Sequence, residues 1–264
     1  MGRPLVTLLL ILLFGTAATG RAPDAAASLP AAFVPPPILM YHRIDTDRPA
    51  DLVGRELTVS PEQFSGQLAY LRAHGIAGIS MEQLRERLEA GAPLDHTVVL
   101  TFDDGYADQY ENALPLLHQY ADQATFYVVT GLLDTPRHLT WAQLAVMRAL
   151  GEDISAHGVA HDDLSRMSPA QQTYQIEDSI ALLRRRLHAR VGSYCYPSGR
   201  FNRTTLAIVQ SAGVDLAVTT DASYVIAPEN RFELPRIRVR GDWRIGDFAA
   251  ALQSGLEKAR IVRT

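Results

Sequence analysis

Val98-Val99-Leu100-Thr101-Phe102-Asp103-Asp104-Gly105 is a largely apolar run that ends abruptly in two carboxylates and a glycine. An apolar run of this length fits a β-strand covered on both faces. The polar residues at its end fit a loop beyond the strand's C-terminus. The segments on either side repeat the theme. Upstream, Ile38 to Tyr41 reads as a first strand. Ser60-Pro61-Glu62-Gln63 carries the signature of a helix start, with Ser60 as cap, Pro61 in the first turn and Gln63 closing a capping box. Phe64, Leu68 and Leu71 give that helix an apolar stripe, and Ser80 to Glu89 forms a second helix.

Downstream, a helix is expected from about Ala107 to Tyr120, with a break near Pro115. Strands are expected at Ala124 to Val129, Asp153 to Ala156, Tyr194 to Tyr196, Leu216 to Thr219 and Ile237 to Val239. Helices are expected after Thr140, from Ser168 to about His188, and near residues 203–212 and 246–258. Repeated strand–helix units imply parallel strands with right-handed crossovers. About seven such units fit an irregular or incomplete β/α barrel, with an open doubly wound sheet as the alternative. Either architecture builds its ligand site beyond the C-terminal ends of the strands.

Several polar clusters fall at that place. Besides Thr101-Phe102-Asp103-Asp104-Gly105, there are His157-Gly158-Val159-Ala160-His161, Tyr196-Pro197-Ser198-Gly199-Arg200 and Tyr41-His42-Arg43. Two histidines four apart on a glycine-containing turn can reach one metal ion. A carboxylate from another strand end would complete a His₂Asp set with open positions, the pattern of a catalytic rather than a structural site. With successive side chains of extended chain pointing apart, one of the paired aspartates could bind metal while the other addresses a water.

These motifs resemble the polysaccharide deacetylases with a NodB-type domain, carbohydrate esterase family 4. The resemblance runs from about Ile38 to Val239 and rests on Thr-Phe-Asp-Asp-Gly and His-x-x-x-His. Tyr-Pro-Ser-Gly-Arg-Phe-Asn and Leu-Pro-Arg-Ile-Arg-Val add to it. Met-Tyr-His-Arg-Ile and Thr-Val-Ser-Pro-Glu-Gln-Phe point to the branch of the poly-N-acetylglucosamine deacetylases. The resemblance implies a distorted, incomplete barrel and one divalent metal, usually zinc. It implies Asp104, His157 and His161 as metal ligands, Asp103 as general base, and the backbone N–H of Ser198 as oxyanion donor. The implied reaction is hydrolytic removal of N-acetyl groups from a glycan containing N-acetylglucosamine. A sugar-binding protein without catalysis and an O-acetyl esterase are the alternatives.

Two departures stand out. Cys195 lies where many relatives keep an arginine beside the base, and no histidine follows His188 to serve as general acid. His42 is the replacement acid, or else a structural histidine under the rim. Arg236 and Arg238 lie two apart on one strand face, so one could supply the positive charge near Asp103. Tyr196, Pro197 and these two arginines are the candidate substrate contacts.

Composition bounds the rest. The chain has 264 residues, a net charge of −4 and one cysteine. It is too apolar to be disordered and lacks a basic surface for nucleic acid. Arg3, the apolar run Leu5 to Phe14 and the small residues Gly15 to Gly20 read as a signal peptide over residues 1–27, cleaved after Gly20 or Ala27. An uncleaved anchor is the other reading. The run is too short for a typical span of about 20 residues. Residues 28–37 end an Ala/Pro-rich tether, and residues 38–264 form one domain. The expected location is periplasmic or extracellular, with an acetylated glycan as partner.

Overall fold

The computed structural model describes residues 29–221 and 230–263. The expected signal peptide at residues 1–27 lies outside them. The strands are β1 (Ile38–Tyr41), β2 (Arg43–Ile44), β3 (Thr58–Val59), β4 (Ala77–Ile79), β5 (Thr97–Phe102), β6 (Thr125–Val128), β7 (Asp153–Ala156), β8 (Ser193–Cys195), β9 (Leu216–Val218) and β10 (Ile237–Arg238). The helices are α1 (Leu52–Leu57), α2 (Pro61–Ala73), α3 (Met81–Glu89), α4 (Leu114–Tyr120), α5 (Trp141–Ala149), α6 (Pro169–Thr173), α7 (Ser179–Leu187), α8 (Arg203–Ser211) and α9 (Ile245–Arg263).

The main sheet runs β10-β1-β5-β6-β7-β8-β9, and every ladder among these described strands is parallel. β4 pairs with the lower half of β5 at Thr97 to Val99, and β6 takes over at Thr101 and Phe102. Short β2 and β3 form a separate parallel ribbon. The sheet curls but stops short of a closed barrel: β9 and β10 are its two ends. A single bridge from Val218 to Leu234 narrows that seam. This is the distorted, incomplete β/α barrel expected above, as one domain.

Strand alternation sorts the core into two sides. Leu39, Tyr41, Val98, Leu100, Phe102, Phe126, Ile154, Tyr194 and Ala217 pack with the surrounding helices. Ile38, Val99, Tyr127, Cys195, Leu216 and Val218 form a smaller cluster on the concave side, joined by Met81, Leu84 and Leu88 of α3. Both sides are covered, so the strands read as continuous apolar runs.

Capping boxes at Ser60/Gln63, Ser80/Gln83, Thr140/Gln143 and Ser168/Gln171 start the four helices whose entry signals stand in the sequence. The break expected at Pro115 takes the form of a π turn over Gln109–Ala113, directly before α4. Proline has no N–H for a bond to the preceding turn, which favours such a register change. A second π turn over Tyr174–Asp178 joins α6 to α7. The described part of the expected tether is packed: Pro35, Pro36 and Pro37 are buried, and Leu29 and Phe33 lie against the concave cluster. Ordered packing therefore begins upstream of Ile38, because these apolar residues help cover the floor of the half-barrel. No helix among the described residues is long and apolar enough to cross a membrane.

Candidate active site

β1, β5, β7 and β8 deliver His42, Asp103–Asp104, His157–His161 and Pro197–Gly199 to one end of the sheet. The paired aspartates are separated by a turn rather than by extended chain, which corrects the expectation. Asp104 and Gly105 both have φ of 73°, in the left-handed region. The turn leaves Asp103 on the inward face and swings Asp104 toward the histidines.

Asp104 Oδ1 lies 3.5 Å from His157 Nε2 and 3.4 Å from His161 Nε2. The two imidazole rings are 4.9 Å apart and near perpendicular. Gly158 has φ of 81° and His161 has φ of 57°, so the pair sits on a tight loop, as expected. Nδ1 of His157 lies 2.8 Å from the Cys195 carbonyl. Nδ1–H donating there leaves Nε2 to face Asp104. Asp104 Oδ1 is buried and has no hydrogen-bond partner among the described residues. An orphaned carboxylate oxygen facing two imidazole nitrogens suits a cation, and the three groups could hold a metal ion.

Asp103 lies behind this set. Arg236 grips it with two bonds of 2.7 Å, Nη1 to Oδ1 and Nη2 to Oδ2. Burial by itself would raise the Asp103 pKa, but the guanidinium reverses this and holds the carboxyl well below its usual range. Arg236 is completed by bonds to the Thr219 carbonyl and Thr101 Oγ1. Nη2 also lies 3.1 Å from Cys195 Sγ, and that sulfur is 3.7 Å from Asp103 Oδ2. Burial pushes the Cys195 thiol up, so it stays neutral. The arginine missing at position 195 is thus matched by one arriving from the far end of the chain.

Three expected substrate contacts are corrected. Arg236 is fully buried and faces Asp103, not the mouth, so it takes the other role expected of one of the two arginines and supplies the positive charge there. Tyr196 has the opposite strand parity from Cys195, which turns it to the helix side. There its hydroxyl donates to the Phe232 carbonyl and its ring packs on Phe201. Pro197 is buried beside Gly158 and shapes the loop instead of the surface. Arg238 is half-buried and close enough to His42 to help lower that ring's pKa. It also lines a cavity of about 400 Å³ with Arg240 and Trp243.

His42 is half-buried, and burial is the main cause that lowers its pKa, against Asp103 and Asp104, which raise it. Its Nδ1 has no hydrogen-bond partner among the described residues, so a bond through that atom does not hold it under the rim. Ser198 has φ of 53° within the Pro197–Gly199 turn. The turn's own bonds run from Gly199 N–H to Tyr196 and from Arg200 N–H to Pro197.

Two buried glutamines escaped notice in the sequence. Gln109 Nε2 donates to the carbonyls of His42 and Asp103, at 2.8 and 2.6 Å. Gln175 Oε1 accepts from the N–H groups of Val159 and Ala160, at 2.8 and 2.9 Å. The available signal was a polar residue beside core-facing positions of an amphipathic helix.

A family model for polysaccharide deacetylases matches residues 90–217. The Bacillus subtilis (strain 168) protein YxkH, named for that family, is 30% identical over 219 residues, covering 83% of this chain and 76% of its own. A poly-beta-1,6-N-acetyl-D-glucosamine N-deacetylase of Staphylococcus aureus is 23% identical over 202 residues, covering 71% of this chain and 70% of its own. Among solved structures, the Streptococcus pyogenes deacetylase PplD, in complex with acetate, superposes with a TM-score of 0.74 at 33% identity, covering 82% of this chain and 97% of PplD. Motifs, fold and similarity agree: the chain belongs to the polysaccharide deacetylase family.

Proposed function

We propose that this protein is a metal-dependent hydrolase that removes N-acetyl groups from a polysaccharide containing N-acetylglucosamine. The observation that carries this reading is the convergence of Asp104, His157 and His161 beside an ionised Asp103 at the mouth of the half-barrel. The His₂Asp donor set and the orphaned Asp104 oxygen suit a divalent ion, with zinc the proposed one. Such an ion supplies Lewis acidity toward an amide carbonyl and lowers the pKa of water.

The chain's own groups then divide the work. Asp103 accepts the proton of the attacking water, and Arg236 fixes the direction of its carboxylate. The Ser198 N–H, which the two bonds inside the turn do not use, donates to the oxyanion as the acetyl carbon becomes tetrahedral. The proton that Asp103 takes from the water passes through His42 to the departing nitrogen as the C–N bond breaks, giving acetate and a free amine. The Staphylococcus aureus relative's name and the acetate held by PplD support an N-acetylated glycan as substrate. The apolar N-terminus supports export to the periplasm or cell exterior, where such glycans lie, and sequencing the mature N-terminus tests this.

The decisive experiment measures acetate released from N-acetylglucosamine oligomers by the zinc-loaded protein. His157→Ala should lose both metal and activity. Retention of both would overturn the assignment. The bidentate Arg236 contact favours an enzyme over a sugar-binding protein, because it supplies the positive charge that Cys195 lacks.

A further inference from the structure

The two π turns each carry a buried glutamine to a loop of the site. Gln109 opens the turn over Gln109–Ala113, and Gln175 is the second residue of the turn over Tyr174–Asp178. π turns widen a helix by one residue and re-aim side chains, and they concentrate at functional sites. Both glutamines point polar atoms at backbone, not at other side chains of the core. Gln109 uses both amide hydrogens, on the His42 and Asp103 carbonyls. Those residues follow different strands, so one side chain ties the two chain ends together just beyond the β1–β5 ladder, whose last bond runs from the Asp103 N–H to the Tyr41 carbonyl. Its Oε1 is left buried without a partner among the described residues, a cost seldom tolerated without a reason. Gln175 gathers two successive N–H groups in the middle of the His157–His161 loop and donates to Asp162 at 3.2 Å. The carbonyls of Gly158 and Val159 accept from the Thr130 and Gly131 N–H groups, and the clamp satisfies the N–H groups of Val159 and Ala160 on the other side of a loop with φ of 81° at Gly158 and 57° at His161.

We propose that Gln175 and Gln109 are positioning residues with separate duties: Gln175 holds the histidine loop in its ligating shape, and Gln109 holds His42 and Asp103 at their working distance. The proposal rests on the metal-hydrolase reading, and the tests separate the two.

Zinc binding to the full chain is read by calorimetry, with zinc alone as the probe. Gln175→Met should bind zinc about ten- to a hundredfold more weakly, as expected for lost support of a ligand loop. Gln175→Glu, which keeps the acceptor, should stay within about threefold of the parent. Gln109→Met should keep zinc affinity but lower kcat about tenfold with KM unchanged, since it removes no substrate contact. Hydrogen exchange on the unmodified protein gives a readout that needs no variant: the Val159 and Ala160 amides should be protected despite lying in a loop. Parental zinc affinity in folded Gln175→Met, or free exchange at those two amides, would overturn the duty of Gln175. Unchanged kcat in folded Gln109→Met would overturn that of Gln109. If the parent bound no zinc, the metal reading would fall, and amide protection would still decide whether the clamp exists.

Discussion

The two ends of the half-barrel treat buried carboxyls in opposite ways. At the strand C-termini, Asp103 is enclosed yet held ionised, because Arg236 meets both of its oxygens. At the strand N-termini, Asp122, Glu152 and Asp153 are also enclosed, but no arginine among the described residues grips them in this way. Burial pushes Asp122 and Asp153 up to about 6 and Glu152 up to about 7. Their bonds come from neutral groups: the Gly78 and Ala124 N–H and the Thr125 hydroxyl. Desolvation acts at both ends, and a buried guanidinium decides which side wins. The carboxylate beside the metal-competent residues thus stays charged over a wide pH range, whereas those at the strand N-termini take up protons at a higher pH than usual.

The largest effect should come from erasing that difference. Arg236→Met leaves Asp103 buried without its cation, and should cost about 3–5 kcal/mol of stability in urea titrations. Acetate release should be lost with it. Stability within about 1 kcal/mol of the parent would show that Asp103 simply takes up a proton at little cost.

Asp103→Asn keeps the shape but removes the base. It should lower kcat by about 10²–10⁴-fold while zinc still binds. A parallel loss of zinc would move Asp103 from proton acceptor to ligand.

The two ends also predict opposite pH slopes. A carboxyl with a raised folded pKa binds its proton more tightly when folded, so its contribution is full below the unfolded pKa near 4 and lost as pH rises. The Glu152, Asp153 and Asp122 cluster should therefore weaken the fold between about pH 4 and 7. Glu152→Gln should flatten this slope and recover on the order of 2 kcal/mol at pH 8. Asp103 acts the other way: its contribution is present above pH 4 and disappears as pH falls through its depressed folded pKa. Urea midpoints from pH 3 to 8 check the first slope and the onset of the second, and an unchanged slope in Glu152→Gln would break the comparison. The smallest effect is expected from Cys195→Ser. The hydroxyl still accepts from Arg236, so stability should change by about 1 kcal/mol or less, with kcat nearly unchanged.

How far the chain alone leads depends on separation along it. Asp103-Asp104-Gly105 and His157-x-x-x-His161 are contiguous, and each follows an apolar run that is visibly a strand. Their arrival at one end of a parallel sheet then follows from topology. Capping boxes are equally local, because a helix start is built within four residues. Tyr196 was misplaced for want of one parity assignment, which strand burial supplies and the motif does not. β2, β3 and β4 do not stand out in the sequence: Arg43-Ile44 and Thr58-Val59 each pair one polar with one apolar residue, and Gly78 weakens the strand signal of Ala77–Ile79.

The sequence by itself determined the strand–helix alternation, the helix starts and the metal-competent residues, since these rest on short-range pattern and side-chain chemistry. Only the tertiary structure decided that Arg236, 133 residues from Asp103, stands in for the arginine absent at Cys195. Only it showed that glutamines in two π turns tie the site loops together. It also set which buried carboxyls keep their charge. Those outcomes depend on which groups desolvation and curvature bring face to face, and no local pattern encodes that meeting.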